Sequence, residues 1–417
     1  MNLNFQRKLD YWAGTFLCRI FSFFSKKKNN ISIDVKPKNI LVILLSEKGA
    51  LVLAHPMFKK IKQKYPDASI YVLLFASNRE VLELLDVVPT KNIFTIKSSA
   101  FINFFLDSIH VLSKLRQIPI DTIIDCELFS RISSIYAFLS GAQTHVGFHP
   151  HTQEGLFRGE YINRPVPYNP YHHISQQFIT LVEALESEQV PTVKRRIAKE
   201  QFIIPPLKIT KEEIADSLYQ LKADFPNITG KELVLINPSG GLLPIRAWPI
   251  EHYCHLLNSF IQNEYTVGII GIEDDKKIAD QVLLECKDHN CIDLTGYTKS
   301  IRELLIIFHF ASLLITNDGG PGHFAGMTPI PSIIFFGPET PDLYGSLSPN
   351  AFSFYTPLSC SPCLTAYNHR NSMCNGNNLC LHYIQPEEVL DKAYEILNSP
   401  PSINFRTAAS RTKQDQE

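Results

Sequence analysis

From residue 39 onward, short runs of β-branched and aliphatic residues alternate with stretches whose apolar positions recur every three or four residues. That alternation marks βαβ units around a parallel sheet. It predicts strands over 39–45, 69–76, 92–96, 121–126 and 144–148, with helices over 50–65, 101–116 and 129–139 between them. A second series follows, with strands over 232–237, 266–271, 291–294, 312–317 and 332–336. Helices over 250–263, 274–289, 300–310, 320–327 and 386–397 accompany it. The expected architecture is α/β, two Rossmann-like domains facing across a cleft. The first domain spans 38–190 and the second 231–398. Three prolines within 189–206 and the run Lys194-Arg195-Arg196 make 191–230 an interdomain connection, and the polar stretch 399–417 reads as a disordered tail. The loop 149–170, with His149, His151, Arg158 and Arg164, reads as a binding loop on the first domain's rim.

The amphipathic pattern of residues 1–37 is different in kind. Trp12, Phe16, Ile20 and Phe23 fall at helical spacing, and residues 1–30 hold six basic side chains against Asp10 alone. Asp10 and Arg19 interrupt the apolar run, which is shorter than a membrane span requires, and no small-residue cleavage site follows. Two readings stand: an aromatic-basic helix lying on the inner-membrane surface, or a helix packed on the protein's own surface. A peripheral, cytoplasmic protein is expected on the first.

Composition narrows the picture further. At 417 residues and 45% hydrophobic, the chain can bury two cores. With 40 Lys+Arg against 41 Asp+Glu there is no global basic field, which argues against nucleic acid as partner. Five cysteines are scattered. The other four, Cys360, Cys363, Cys374 and Cys380, follow a C-x2-C then C-x5-C spacing that suits either a structural tetrathiolate zinc site or packed thiols.

Candidate chemistry gathers at three predicted strand ends of the second series. Ile315-Thr-Asn-Asp-Gly-Gly-Pro-Gly-His-Phe-Ala325 runs from strand through a glycine-rich turn into a helix, where backbone N–H groups and the helix dipole favour phosphate. There Asp318, Gly319, Gly320 and His323 are the candidates; the plainer reading is a tight turn capped by Asp318. Asn237-Pro-Ser239-Gly240-Gly241 and Arg246-Ala-Trp-Pro249 add a second turn and a guanidinium suited to diphosphate. Glu273, after the strand ending at Gly271, could accept hydrogen bonds from ribose hydroxyls.

In this order, and with Leu44-Leu-Ser-Glu-Lys-Gly-Ala50, Leu294-Thr-Gly296 and Phe336-Gly-Pro338, these motifs resemble the ADP-heptose heptosyltransferases of glycosyltransferase family nine over residues 38 to 397. The resemblance implies a GT-B fold, a nucleotide-sugar donor held by the C-terminal half, a lipopolysaccharide-core glycolipid acceptor, and inversion without a catalytic metal or other cofactor. It implies that Ser239, Gly240, Arg246, Glu273, Asp318, Gly319, Gly320 and His323 surround the donor. Arg246 stands where the family usually has lysine. One departure concerns catalysis. The family usually places an aspartate base where this chain has Ala50, so Glu47 is the candidate replacement, with His55 a poorer one. If Glu47 is merely a solvated loop carboxylate, the protein is a weak or silent sugar-nucleotide-binding scaffold.

Overall fold

The computed structural model describes residues 3–25, 36–188 apart from 46, 99 and 150–156, then 190–191, 202–285 apart from 229, and 290–399 apart from 367 and 369. The chain divides into two compact units. The first runs to Ile204 and takes in Asp342–Gly345 and Cys363–Met373; the second comprises Pro205–Pro341, Ser346–Pro362 and the chain from Cys374 on. The tail expected over 399–417 lies outside the described residues, Ser399 apart.

In the first unit, helices α1 (Leu3–Leu9) and α2 (Thr15–Ser25) flank a π-helical turn and precede β1 (Asn39–Ile43), α3 (Lys48–Lys64) and β2 (Ser69–Phe75). Then come α4 (Arg79–Leu85), β3 (Ile93–Ile96), α5 (Phe101–Arg116), β4 (Thr122–Asp125), α6 (Arg131–Ser140), β5 (Thr144–Phe148), β6 (Arg164–Val166) and α7 (Ile174–Glu183). Among the described residues the strands form one parallel six-stranded sheet in the order β3-β2-β1-β4-β5-β6. Connections leave β1 in one direction and β4 in the other, so the sheet's switch point lies between these two strands. Leu41, Ile43, Leu73, Ile123, Val111, Leu115 and Tyr136 make one core, in which α5 and α6 cover a sheet face.

A buried ionic knot fastens this sheet. Arg158 is fully buried and donates to the carboxylate of Asp125 at the end of β4, to Ser133 Oγ at 2.9 Å and to the carbonyls of Ser130 and Glu127. The expectation that the 149–170 loop offers Arg158 to a ligand is therefore corrected: its guanidinium is consumed by β4 and the start of α6. Arg164 likewise donates to the Ser187 carbonyl, and residues 150–156, with His151, lie outside the described residues.

The N-terminal helices dock on α6. Asp10 accepts the backbone N–H groups of Arg131 and Ile132 at 2.9 and 3.0 Å and pairs with the Arg131 guanidinium. A carboxylate 121 positions away thus caps α6, whose own Ser130 does not. Gly14 is needed for this approach, because a Cβ there would lie 2.8 Å from Cβ of Arg131. Cys18 and Ser22 continue the inward face, while Trp12, Phe16 and Phe23 stay exposed. Among the described residues no helix is long and apolar enough to cross a membrane.

The second unit begins with α8 (Lys211–Asp224), inside the stretch read as a connection. A reciprocal capping box between Thr210 and Glu213 starts this helix, and Arg302 pairs with Glu213. There follow β7 (Leu233–Asn237), α9 (Ile250–Gln262), β8 (Thr266–Gly271), α10 (Lys276–Glu285), β9 (Cys291–Thr295), α11 (Ile301–Phe310), β10 (Leu313–Asn317), α12 (Gly320–Phe324) and β11 (Ser332–Phe336). The short α13 (Pro341–Tyr344) belongs to the first unit from Asp342 on, and β12 (Ala351–Tyr355), α14 (Leu379–His382) and α15 (Pro386–Asn398) complete the second. The parallel order β12-β11-β10-β7-β8-β9 repeats the first sheet's winding, with its switch point between β7 and β10. Trp248, stacked on Phe335 at 4.4 Å, anchors the core.

Breaking the Asp125–Arg158 knot from one side leaves a carboxylate buried without its cation. Arg158→Met should lower the unfolding free energy by about 3–5 kcal/mol. Urea denaturation followed by circular dichroism reads this, and an unshifted midpoint would show the knot to be energetically idle.

Candidate functional site

The second unit's switch point is organised by Asn317, the last residue of β10, which is buried. Its Oδ1 accepts the N–H of Trp248 at 2.9 Å and the hydroxyl of Tyr253 at 3.0 Å. Its Nδ2 donates to the carbonyls of Pro238 and Ser239, both at 3.1 Å. One carboxamide therefore sets the turn after β7, the Arg246–Trp248 segment and the start of the glycine-rich turn relative to one another.

Within this frame Arg246 reaches across the strand ends. Its Nε lies 3.6 Å from Asp318 Oδ2 and its Nη2 3.1 Å from Glu339 Oε1. Asp318 is fixed by its own N–H, which donates to the Phe335 carbonyl at 2.9 Å. Burial pushes the Glu339 carboxyl up to about 8 and raises that of Asp318 too, with Arg246 opposing in both. One guanidinium faces two carboxyls, and a proton retained on the pair keeps the cluster near neutral around pH 7. An incoming phosphate could then take the guanidinium's charge without meeting two carboxylates.

The other second-unit candidates are neighbours of this cluster. Ser239 donates to Asp275 Oδ1 at 2.5 Å and accepts from the Gly241 N–H at 3.0 Å, so its hydroxyl ties the β7 turn to the one after β8. Gly240 serves a close chain approach, since a Cβ there would sit 2.8 Å from the Leu243 carbonyl oxygen. Glu273 is exposed, its carboxylate lying against Gly296 at the end of β9. Gly319 and Gly320 lead into the single turn of α12, a Cβ at Gly319 meeting nothing nearer than the Asn317 carbonyl oxygen at 3.8 Å, and His323 is buried on that turn.

In the first unit the switch point holds the loop after β1. Leu45 N–H donates to Glu127 at 2.7 Å, and Asn78 Nδ2 donates to the Leu45 carbonyl at 2.7 Å. Glu47 then begins α3, with its side chain 44% exposed and ion-paired to Arg370. Arg370, nearly buried, lies over the Tyr344 ring at 5.3 Å; burial first, then Arg7, pulls its guanidinium down to about 10. Glu47 is thus a half-exposed carboxylate held in an ion pair. His55, a turn further into α3, is buried and pulled down to about 4 by burial and nearby lysines, so it stays neutral in neutral solution.

Residues 121–373, more than half of the chain, match the family model for glycosyltransferase family 9 (heptosyltransferase). The chain belongs to glycosyltransferase family 9. Lipooligosaccharide heptosyltransferase 2 of Haemophilus ducreyi is 24% identical over 318 residues, 75% of this chain and 87% of that protein. Lipopolysaccharide heptosyltransferase 3 of Escherichia coli K12 is 20% identical over 294 residues, 69% of this chain and 79% of that one. The solved structure of E. coli ADP-heptose lipopolysaccharide heptosyltransferase II shares the fold with a TM-score of 0.68 at 20% identity, covering 86% of this chain and 98% of that chain. A family 9 glycosyltransferase from Veillonella parvula gives 0.64 at 20% identity, covering 88% and 99%. The expected α/β, GT-B class holds.

For this family 9 chain the sequence reading left out three residues that the geometry makes prominent. Asn317 lies inside the strand-to-helix motif Ile315–Ala325, and Glu339 directly follows Phe336-Gly-Pro338. An acidic residue at a third strand end, beside ends carrying Arg246 and Asp318, was the available signal for Glu339. Arg370 had none, since it sits in a loop without periodicity. As for the cysteines, Cys360 and Cys374 are exposed, Cys363 half-buried and Cys380 buried against Gly337. Cys363 belongs with the first unit and the other three with the second. Among the described residues no group of three or more His, Cys, Asp or Glu is placed to hold a metal ion.

Two measurements probe this frame. Asn317→Ala strands the Trp248 N–H and the carbonyls it served, and should cost about 3 kcal/mol of stability by thermal or urea unfolding. Glu339 loses its proton as pH rises through about 8, so if the Arg246 cluster takes a diphosphate, ADP affinity should be full below that value and fall about tenfold by pH 9.5. Calorimetric titration of Glu339→Gln should give a nearly flat profile over the same range; an equally steep one would acquit Glu339.

Proposed function

We propose that this family 9 protein is an inverting glycosyltransferase that moves heptose from ADP-heptose onto a lipopolysaccharide-core-type glycolipid at the inner face of the membrane. The observation that carries the proposal is the Arg246 cluster at the β7–β10 switch point, where a guanidinium, two strand-end turns and a helix start adjoin. The relatives named as heptosyltransferases supply the sugar and the acceptor class. In this reading Ser239, Gly240, Glu273, Asp318, Gly319, Gly320 and His323 line the donor. Glu273 takes ribose hydroxyls, while Arg246 and His323 bear on the diphosphate.

The chemistry is a single displacement. An acceptor hydroxyl attacks the anomeric carbon on the face opposite ADP, the C–O bond to the β-phosphate breaks, and ADP leaves with the bonding pair. Arg246 and the backbone N–H groups of the turn neutralise the charge that develops on the leaving phosphate, so no divalent metal is required. Glu47 accepts the hydroxyl proton. Arg370 orients Glu47, and proton transfer requires that ion pair to be shared or released.

A second reading, a sugar-nucleotide-binding scaffold with little or no turnover, is favoured by the same ion pair together with Ala50 in place of the usual aspartate. Transfer from ADP-heptose to a delipidated core acceptor, with and without EDTA, separates the two. The enzyme reading expects turnover unaffected by EDTA, a loss of about a hundredfold in kcat for Glu47→Gln, and a loss of about a hundred- to a thousandfold in kcat/KM for Arg246→Ala. ADP binding without any transfer by the unaltered protein would establish the scaffold instead.

A further inference from the structure

Bringing the protein to a lipid-borne acceptor requires a membrane-facing surface, and the inference below rests on that part of the proposed function. The aromatic stripe of the N-terminal helices is half of such a surface. Gly14, Cys18 and Ser22 turn inward, whereas Trp12 is 73% and Phe16 66% exposed. Helix α5 repeats the pattern. Ser108, Val111 and Leu115 face the core, Ser108 bonding the Tyr136 hydroxyl at 2.6 Å. On its outer side Phe101, Ile102, Phe105, Leu106 and Ile109 are all more than half exposed, where a helix on a globular unit ordinarily shows polar residues.

The two stripes belong to one helical layer. Helix α6 contacts α5 through Tyr136 and Ala137, and it contacts α2 through Ile135 and Phe138, the latter stacked on Phe21 at 4.6 Å. An exposed apolar surface of this extent marks an interaction site.

We propose that α5 is a second membrane-docking element, acting with α1 and α2 against an anionic bilayer. Charge and residue type select lipid as the occupant. The aromatic rings suit the headgroup boundary, and Arg7, Lys8 and Arg19 accompany the first stripe, with Lys114 and Arg116 ending the second. The acidic residues of these helices, Asp10 and Asp107, are both turned to backbone N–H groups, those of Arg131 and Ile132 and that of Lys97. The surface therefore offers cations and apolar rings together.

Co-sedimentation of the full chain with vesicles tests this, comparing phosphatidylglycerol–phosphatidylethanolamine with phosphatidylcholine alone. The unaltered protein should bind the anionic vesicles, and Phe105→Asp with Leu106→Asp should weaken binding by about tenfold or more, with ADP affinity and circular dichroism unchanged. Both side chains are exposed, so the variant keeps its core. If that variant binds like the unaltered chain while Trp12→Asp with Phe16→Asp does not, α5 is overturned and the N-terminal helix stands alone. If the unaltered protein ignores anionic vesicles, the membrane reading fails with it, whereas turnover on a delipidated acceptor still reports separately on the enzyme. A light-scattering mass of two chains, reduced to one by the α5 variant, would assign this face to a second copy and overturn the proposal.

Discussion

The second unit's switch point depends on one buried carboxamide. Asn317 spends both ends of its side chain on backbone or buried hydroxyl partners from two other segments, and it does so at the point where the sheet changes direction. Such a point already leaves a crevice outside the strand ends; Asn317 makes that crevice a definite shape. Arg246 can stand between Asp318 and Glu339 because Trp248, two residues on, is locked by its N–H and by stacking on Phe335. On the proposed function such preorganisation serves the leaving diphosphate, since a guanidinium already in position need not be reoriented as charge develops.

The first unit solves the equivalent problem with charge instead of amide. Asp125 at the end of β4 holds Arg158, and Arg158 in turn gathers the carbonyls of the segment leading to α6. Asp10 then finishes α6 from the N-terminal helices. The same arrangement orients the aromatic stripe outward, so the anchoring of the N-terminus and its exposed face are two sides of one packing decision. Of the two readings left open for these helices, the packing shows the second, since the inward face docks on the protein, while the outward face stays exposed.

Much of the fold was legible. Strands β1–β5 and β7–β11 were visible as β-branched runs bounded by turns, and α5 and β11 were placed to the residue, because buried parallel strands and long periodic helices carry their signal locally; the edge strands β6 and β12 were missed. Helices α4, α7 and α8 were missed, α8 because only Leu221 of it is buried and its pattern reads as polar linker. The motifs led to Arg246 and Asp318, since strand-to-glycine turns are local too. Glu339, Asn317 and Arg370 escaped because what matters about them is which distant group they meet. The outward face of α5 escaped for a related reason: a sequence shows that a helix is apolar, but only packing shows which apolar residues are left over.

The chain order has one further consequence. Residues 342–345 and 363–373 return to the first unit after most of the second has been made. A nascent chain cannot finish its first unit when Ile204 emerges, since Arg370, which grips Glu47, is still to be synthesised. The two units are consequently not successive beads that mature in turn; the earlier one stays incomplete during translation until the later one is nearly done. A fragment ending near residue 204 would carry the Glu47 loop without the cation that holds it, and fusion of separately evolved halves would have to preserve that late return.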